Sequence, residues 1–309
     1  MKGSGMKALY PILAWSLVWT ASAAIVFDGT SPYHHVRVVD ERGTRVLSFD
    51  ASLETRMSLA DSSKGHFQYT EYFHMPWLWH TNITRILVVG LGGASVQRAY
   101  QKYSPQVSVE TAEIDPLVVK VAREYFQFPD NSTNKVILSD GRLFLRNTDK
   151  KYDVLLMDAY TRNRYGSSIP HHLVTREFFV LANKHLTENG VLAYNVIGSL
   201  QGWRADVLGS VYRTMRQVFP QVYLFPATDS SNVVMVATKN KELMTPAAAF
   251  RQGQDLIVAG LRTIPDFQVR IRSFRNDPPS SFLRSPILTD DFAPVDGLLR
   301  GRQERGPGQ

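Results

Sequence analysis

The chain has 309 residues, enough for one large domain or two smaller ones, and its hydrophobic fraction of 44% is that of an ordinary folded protein. The formal net charge is +7, but lysine and arginine are scattered along the chain without a nucleic-acid-binding motif, so we expect a basic soluble surface and no nucleic-acid partner. The sequence contains no cysteine, which excludes disulfides, thiolate metal ligands and thiol catalysis.

The N-terminus has the pattern of a targeting or membrane segment. Lys2 and Lys7 precede a largely apolar stretch over residues 8–27, and Ala21-Ser-Ala23 matches the small-x-small pattern of a signal-peptidase site. If it is not cleaved, a segment of about 20 residues is long enough to span a bilayer. We therefore expect residues 1–24 to be a signal peptide or membrane anchor and the protein to be exported (periplasmic) or membrane-anchored. The alternative is a first strand or helix of the fold in a cytoplasmic protein.

Residues 25–80 are predicted to form a small N-terminal β domain. His35–Val39 and Arg45–Phe49 alternate apolar and polar residues on either side of a turn at Asp40–Gly43, a pattern typical of a β-hairpin. An aromatic-rich run leads into the next domain. Its rings could stack on a ligand, but we expect them to pack in the core at the domain junction; they are Phe67, Tyr72, Trp77 and Trp79.

Residues 81–240 alternate strand-like and helical patterns. Four apolar runs between Arg85 and Tyr160, separated by helical spacing, predict β-α units that build a parallel sheet. A fifth run at 190–197 and a hairpin over 221–237 bring the number of predicted strands to seven. Residues 161–170 read as a loop, with helices expected at about 175–186 and 203–219. Residues 241–309 are expected to hold a helix (about 246–261) and a tail.

Each of the first four strands ends in a small or acidic residue, and ligands of such sheets bind at the carboxyl ends of the strands. Gly90-Leu-Gly92-Gly93 follows the first strand and allows a polar ligand group to approach the backbone. Glu113 ends the second strand, where a carboxylate can accept both ribose hydroxyls. Asp140-Gly141 follows the third strand, where a carboxylate can accept from an adenine amine. Asp158 ends the fourth strand and faces the reacting end of the ligand.

The glycine-rich loop favours one class of nucleoside ligand. Ser95 stands where a dinucleotide-binding loop has its third glycine, which disfavours a nicotinamide enzyme. An S-adenosylmethionine-type ligand needs no diphosphate site and fits the loop better.

These residues give the chain a family resemblance. It resembles the spermidine synthase (polyamine aminopropyltransferase) family, a branch of the class I methyltransferase-like fold, over about residues 31–238. The resemblance implies an α/β, Rossmann-like seven-stranded sheet with a small N-terminal β-hairpin domain. The stretches that carry it are Ser31-Pro-Tyr33 and residues 68–76, 112–116, 139–141, 152–158, 169–178 and 289–295.

The resemblance also implies an activity, which is aminopropyl transfer from decarboxylated S-adenosylmethionine to an amine such as putrescine. Glu113 would hold the ribose hydroxyls and Asp140 the adenine amine, while Tyr69 would line the amine pocket and act with Asp158 in catalysis. The remaining nucleoside-binding positions would be Gly90, Gly92, Gly93 and Gly141. Family members are commonly dimers, so the resemblance also implies a homodimer.

Departures from the family pattern leave other functions open. Gly93 takes the place of the aspartate that meets the aminopropyl ammonium, and Thr161 takes the place of the catalytic base. Gly65-His66 replaces an Asp-Glu pair, and residues 227–231 replace the late amine-site loop. The alternatives are an S-adenosylmethionine-dependent methyltransferase, or another S-adenosylmethionine-binding enzyme, and a catalytically inactive nucleoside-binding protein.

Other side chains could replace the lost acid–base groups; they are Asp229, Glu71 and Tyr69. Arg162 with Arg164 would suit an anionic substrate, although a solvated loop is the favoured interpretation. His171 and His172 are adjacent and have no acidic or thiol partner at ligand spacing, so we expect no metal site.

Overall fold

The computed structural model describes residues 23–50, 52–163, 166–198, 200–201, 205–261 and 264–300. The predicted signal peptide or anchor at 1–24 therefore lies almost entirely outside the described residues and stays a prediction. Residues 24–27 of the apolar stretch belong to a β-strand. Within the described part of the chain, no helix combines the length and the apolar character needed to cross a membrane.

The N-terminal domain is a four-stranded antiparallel sheet, two strands larger than the predicted hairpin. Its strands, in spatial and chain order, are β1 (Ala24–Thr30), β2 (His35–Glu41), β3 (Thr44–Phe49) and β4 (Ser52–Ser58). The predicted hairpin is confirmed as β2 and β3. Arg42 and Gly43 form its two-residue loop, and both have positive φ, the geometry that matches the twist of antiparallel strands.

The main domain contains a seven-stranded sheet. Its strands are β5 (Arg85–Val89), β6 (Ser108–Glu113), β7 (Asn134–Leu138), β8 (Tyr152–Met157), β11 (Leu186–Ile197), β12 (Gln221–Pro226) and β13 (Asn232–Thr238). Their order across the sheet is β12-β13-β11-β8-β5-β6-β7. β5 to β8 and β11 run parallel, whereas β13 is antiparallel to both of its neighbours, which confirms the predicted final hairpin.

Helices cover both faces of this sheet, which explains why its central strands are apolar runs rather than alternating ones. Leu87 and Leu155 pack on one face, and Val88 and Leu156 pack on the other, because successive side chains of a strand point in opposite directions. The helices are α1 (Ser95–Tyr103), α2 (Pro116–Tyr125), α3 (Gly141–Asn147), α4 (Arg176–His185), α5 (Ala205–Met215), α6 (Pro246–Val258), α7 (Phe267–Ile271) and α8 (Val295–Arg300).

Two connections position the ligand site. A 3₁₀-helical segment over Gln68–Leu78 links the two domains. The predicted core packing is confirmed for Tyr72 and Trp77, and Trp79, just after the segment, packs against the same core while partly exposed. The predicted loop at 161–170 is wrong in part, because β9 (Thr161–Asn163) and β10 (Gly166–Ser168) pair as a short antiparallel ribbon. The Ser167 hydroxyl lies 2.8 Å from that of Ser52, so the ribbon contacts the N-terminal sheet.

Candidate nucleoside-binding site

A cavity of about 340 Å³ lies between the carboxyl ends of the parallel strands and the N-terminal sheet. A cavity of this size is within the range of small-molecule sites. All but one of the predicted site residues line it; those that do are Tyr69, Gly90, Gly92, Glu113, Asp140, Gly141, Asp158 and Thr161.

The strand order arranges the four strand ends in a row. Asp158 follows β8, Gly90 follows β5, Glu113 ends β6 and Asp140 lies just beyond β7, and these strands are neighbours in that order. Three strand spacings of about 4.8 Å separate the two ends of the row by roughly 14 Å. An elongated nucleoside ligand can therefore contact all four positions at once.

The glycine-rich loop is shaped by two glycines with positive φ. Gly90 has φ +97°, and a Cβ there would clash with the carbonyl oxygen of Asp158, so no other residue fits without moving the backbone. Gly92 has φ +50°. The loop leads into α1, and its backbone forms the floor of the cavity between Asp158 and Glu113.

Gly93, which was expected to bind the cofactor, lies behind the cavity wall rather than in it. Its N–H donates to the Thr55 hydroxyl oxygen at 2.9 Å. A Cβ at this position would lie 2.6 Å from Thr55 Cγ2 and 2.9 Å from Phe126 Cδ1. The N-terminal sheet therefore fills the space that an aspartate side chain at position 93 would need.

Glu113 is buried and held rigidly at the middle of the row. One carboxylate oxygen accepts from the Leu91 N–H at 2.9 Å, and the other accepts from the Asp115 N–H at the same distance. Burial raises the pKa of Glu113, while these two hydrogen bonds act in the opposite direction. That this fixed carboxylate accepts the ribose hydroxyls stays a prediction.

Asp140 stands at the far end and has two structural partners. It caps α3 by accepting from the Leu143 N–H at 2.8 Å, and its second oxygen is hydrogen-bonded to His172 Nε2 at 2.9 Å. The bond to His172 lowers the pKa of Asp140. His171 and His172 also line the cavity. Among the described residues, no group of three or more His, Asp or Glu is placed to hold a metal ion.

Asp158 and Tyr69, the predicted catalytic pair, are brought together at the other end. The Tyr69 hydroxyl donates to Asp158 Oδ2 at 3.2 Å, and Asn195 Nδ2 donates to Oδ1 at 2.9 Å. Asn195 is itself held by Asn232, whose amide donates to its side-chain oxygen at 3.0 Å. Burial raises the pKa of Asp158 from 3.8 to about 6, so this carboxyl group titrates near neutrality.

The other acid–base substitutes lie elsewhere. Glu71 is ion-paired with Arg270 at 2.5 Å and hydrogen-bonded to His66 at 2.8 Å, outside the cavity lining. Asp229 accepts from the Gln68 N–H at 3.2 Å and lies 3.5 Å from Arg56. Of the arginine pair, Arg164 and the side chain of Arg162 are outside the described residues, and an anionic-substrate site there stays untested.

Sequence reasoning missed several cavity residues. Phe67 was expected in the core but lines the cavity, where its ring lies 4.2 Å from the guanidinium carbon of Arg56. His34 and Glu54 enter the cavity from the N-terminal sheet, and Asn195 reaches Asp158 from β11. No local motif marks these residues, because only the docking of one domain on the other places them near the strand ends.

Fold and site together define a class I methyltransferase-like protein with a cavity at the carboxyl ends of its parallel strands. A family model described as the spermine/spermidine synthase domain matches residues 66–245, more than half of the chain. The protein therefore belongs to the spermine/spermidine synthase family, and the predicted resemblance is confirmed.

Two relatives show the range of similar sequences. The polyamine aminopropyltransferase of Vibrio vulnificus is 27% identical over 291 residues, which cover 89% of this chain and 92% of that protein. The eEF1A lysine and N-terminal methyltransferase of Xenopus laevis is 32% identical over 164 residues, which cover 51% of this chain but only 23% of that larger protein.

Solved structures of both kinds share the fold. A probable spermidine synthase from Corynebacterium glutamicum superimposes with a TM-score of 0.63 at 16% identity, over 93% of this chain and 98% of that one. Human methyltransferase-like protein 13 superimposes with a TM-score of 0.53 at 23% identity, over 75% of this chain and 96% of that one. The predicted seven-stranded class I methyltransferase-like fold is confirmed.

Proposed function

We propose that the protein is an aminopropyltransferase that uses decarboxylated S-adenosylmethionine and a small amine such as putrescine. Family membership and the similarity to a polyamine aminopropyltransferase over nearly the whole chain support this function. The main structural support for this function is the Asp158 carboxylate at the proposed reacting end of the row, where it is hydrogen-bonded to Tyr69 and Asn195.

The proposed donor fits the order of groups along the cavity. Glu113 accepts the ribose hydroxyls and Asp140 accepts from the adenine amine. The sulfonium then lies near the Gly90 turn, and the aminopropyl chain extends toward Asp158 and Tyr69. A positively charged donor is stabilised there, because Asp158 is ionised above about pH 6 and burial strengthens its field.

The transfer step is a single in-line displacement. The lone pair of the acceptor nitrogen forms a bond to the methylene carbon beside the sulfonium. The carbon–sulfur bond breaks, and its electron pair stays on sulfur, which gives methylthioadenosine. Asp158 accepts the proton that leaves the attacking nitrogen, and the Tyr69 hydroxyl fixes the orientation of the carboxylate. In this mechanism Asp158 acts as the base, since a threonine hydroxyl at position 161 cannot do so near neutral pH.

A methyltransferase is the second candidate. Gly93 offers no carboxylate to the aminopropyl ammonium, and the packing of Thr55 and Phe126 leaves no room for one. The similarity to an eEF1A lysine and N-terminal methyltransferase adds to this alternative. The donor in that case is S-adenosylmethionine, held by the same Glu113 and Asp140.

One experiment separates these functions. The purified full-length protein is incubated with putrescine and either decarboxylated S-adenosylmethionine or S-adenosylmethionine, and products are followed by mass spectrometry. Spermidine and methylthioadenosine in equal amounts are expected with the decarboxylated donor. Methyl transfer from S-adenosylmethionine without aminopropyl transfer would establish the second candidate. Calorimetric binding of methylthioadenosine without turnover of either donor would leave an inactive nucleoside-binding protein.

A further inference from the structure

A turn near the C-terminus is bonded to the elements around the Asp140 end of the cavity. Thr289 and Phe292 close this turn with two backbone hydrogen bonds of 2.9 and 3.0 Å. Asp290 and Asp291 are the two residues between them. The turn lies well beyond residues 66–245, which the family model matches. Its contacts with the cavity wall are therefore not part of the domain that defines the family.

Asp290 is held in place by α3 and α4. Its carboxylate forms a bidentate ion pair with Arg142 of α3, with N···O distances of 2.8 and 2.6 Å. The hydroxyl of Thr175, just before α4, donates to the same carboxylate at 2.7 Å. The Asp290 N–H donates to the Glu177 carboxylate at 3.0 Å. The bond to Arg142 lowers the pKa of Asp290 to about 2, so the pair is charged at neutral pH. A bidentate pair fixes the direction of the guanidinium as well as its position.

Arg142 connects this ion pair to His172. Its Nη1 atom, which also binds Asp290, donates to the His172 carbonyl oxygen at 2.9 Å. The His172 ring is in turn hydrogen-bonded through Nε2 to Asp140 Oδ2 at 2.9 Å. A continuous series of contacts therefore runs from the C-terminal turn to Asp140. His172 and Asp140 line the cavity, and Asp290 and Arg142 stand behind them.

The orientation of the Asp140 carboxylate depends on both of its oxygens. Oδ1 accepts from the Leu143 N–H at 2.8 Å, which ties it to the first turn of α3. Only the bond to His172 then fixes the direction of Oδ2. A carboxylate oxygen can accept two hydrogen bonds, so Oδ2 can accept from His172 and from a ligand amine together. Because a hydrogen bond weakens steeply as it bends, the strength of the bond to that amine depends on where His172 is held.

We propose that Asp290 is a positioning residue for base recognition, which acts through Arg142 and His172 to orient the Asp140 carboxylate toward the amine of adenine. This inference rests on the nucleoside donor of the proposed function and not on the group that is transferred. Loss of the ion pair should weaken recognition of the base and leave the contacts to the rest of the nucleoside unchanged. A residue that only anchors the C-terminal turn would affect stability without changing the choice of base.

The test compares Asp290→Asn with Asp291→Asn, a matched loss of charge at the neighbouring exposed residue of the same turn. Calorimetry measures the binding of methylthioadenosine and of methylthioinosine, whose base carries an oxygen in place of the amine. For Asp290→Asn we expect methylthioadenosine to bind about 5- to 10-fold more weakly, since a charge-assisted hydrogen bond is misaligned. Methylthioinosine affinity should change by less than about 2-fold, so the preference for adenine shrinks. Asp291→Asn should behave like the parent protein.

Variants of Arg142 show whether the effect passes through the ion pair. Arg142→Lys keeps the charge but cannot form the bidentate pair, so it should lose the preference for adenine as Asp290→Asn does. The double variant should lose no more than either single variant, because the two residues act as one unit. Losses that add would show that Asp290 does not act through Arg142 and would overturn the inference.

The remaining outcomes separate the inference from the proposed function. If the preference for methylthioadenosine is unchanged in Asp290→Asn, or if both nucleosides bind more weakly by the same factor, the inference is refuted and the proposed function stands. If the parent protein forms no spermidine but binds methylthioadenosine, the proposed function fails, and the two affinities still decide on Asp290. A parent protein that does not prefer methylthioadenosine to methylthioinosine refutes the inference together with the assignment of Asp140 to the adenine amine.

Discussion

Replacing Asp158 by asparagine should remove activity and at the same time stabilise the protein at neutral pH. The folded-state pKa of Asp158, about 6, lies above its ordinary value of 3.8. The folded protein therefore binds the proton more tightly than the unfolded chain does, so stability falls as pH rises through this window. The destabilisation caused by the ionised Asp158 carboxylate is nearly absent below about pH 4 and complete above about pH 6. A shift of about two units corresponds to roughly 3 kcal/mol.

Urea denaturation of the parent protein and of Asp158→Asn at two pH values measures this penalty. The stability of the variant relative to the parent protein should increase by roughly 1–2 kcal/mol between pH 5 and pH 7.5. In the variant, the amide of Asn195 faces a second amide at position 158, which can lower stability by an amount that does not depend on pH. This loss cancels when the stability differences at the two pH values are compared. Asp149→Asn, an exposed carboxylate in the same domain, is the control. A stability difference that does not change with pH would refute the raised pKa of Asp158.

Three further predictions concern the same site. Gly93→Asp restores the family residue, yet it should lower the thermal midpoint by overpacking against Thr55, at a cost of about 1–3 kcal/mol, without raising turnover; higher turnover at an unchanged midpoint would contradict the packing. Glu113→Gln should weaken methylthioadenosine binding about 10-fold or more in calorimetry, because a charged acceptor for the ribose hydroxyls is lost. An unchanged affinity would show that Glu113 does not bind the ribose. Asn195→Ala removes a hydrogen-bond donor that lowers the pKa of Asp158. The acidic limb of the pH–rate profile should therefore move up by about one pH unit, and an unmoved limb would argue against Asp158 as the base.

Much of the main domain could be predicted from local patterns. Strands β5 and β8 are apolar runs because both faces of the sheet are covered. The residues at or just beyond the strand ends, such as Glu113 and Asp140, line the cavity. These features are encoded within a few residues of one another. The two additional N-terminal strands and the β9–β10 ribbon were not predicted, although each pairs with the strand next to it in the chain. Residues 24–27 of β1 belong to the apolar stretch that was expected to be a signal peptide or anchor, and β9 and β10 are only three residues long each.

The sequence by itself determined which groups stand at the strand ends and in the glycine turn, because these are local features. The tertiary structure alone decided their spatial order. Asp158 follows Asp140 along the chain, yet β8 inserts beside β5, so these two carboxylates lie at opposite ends of the row. The crossover at that switch point therefore separates Asp140 from Asp158. Docking of the N-terminal sheet then decided that Gly93 is covered by Thr55 and that Glu54 faces the cavity.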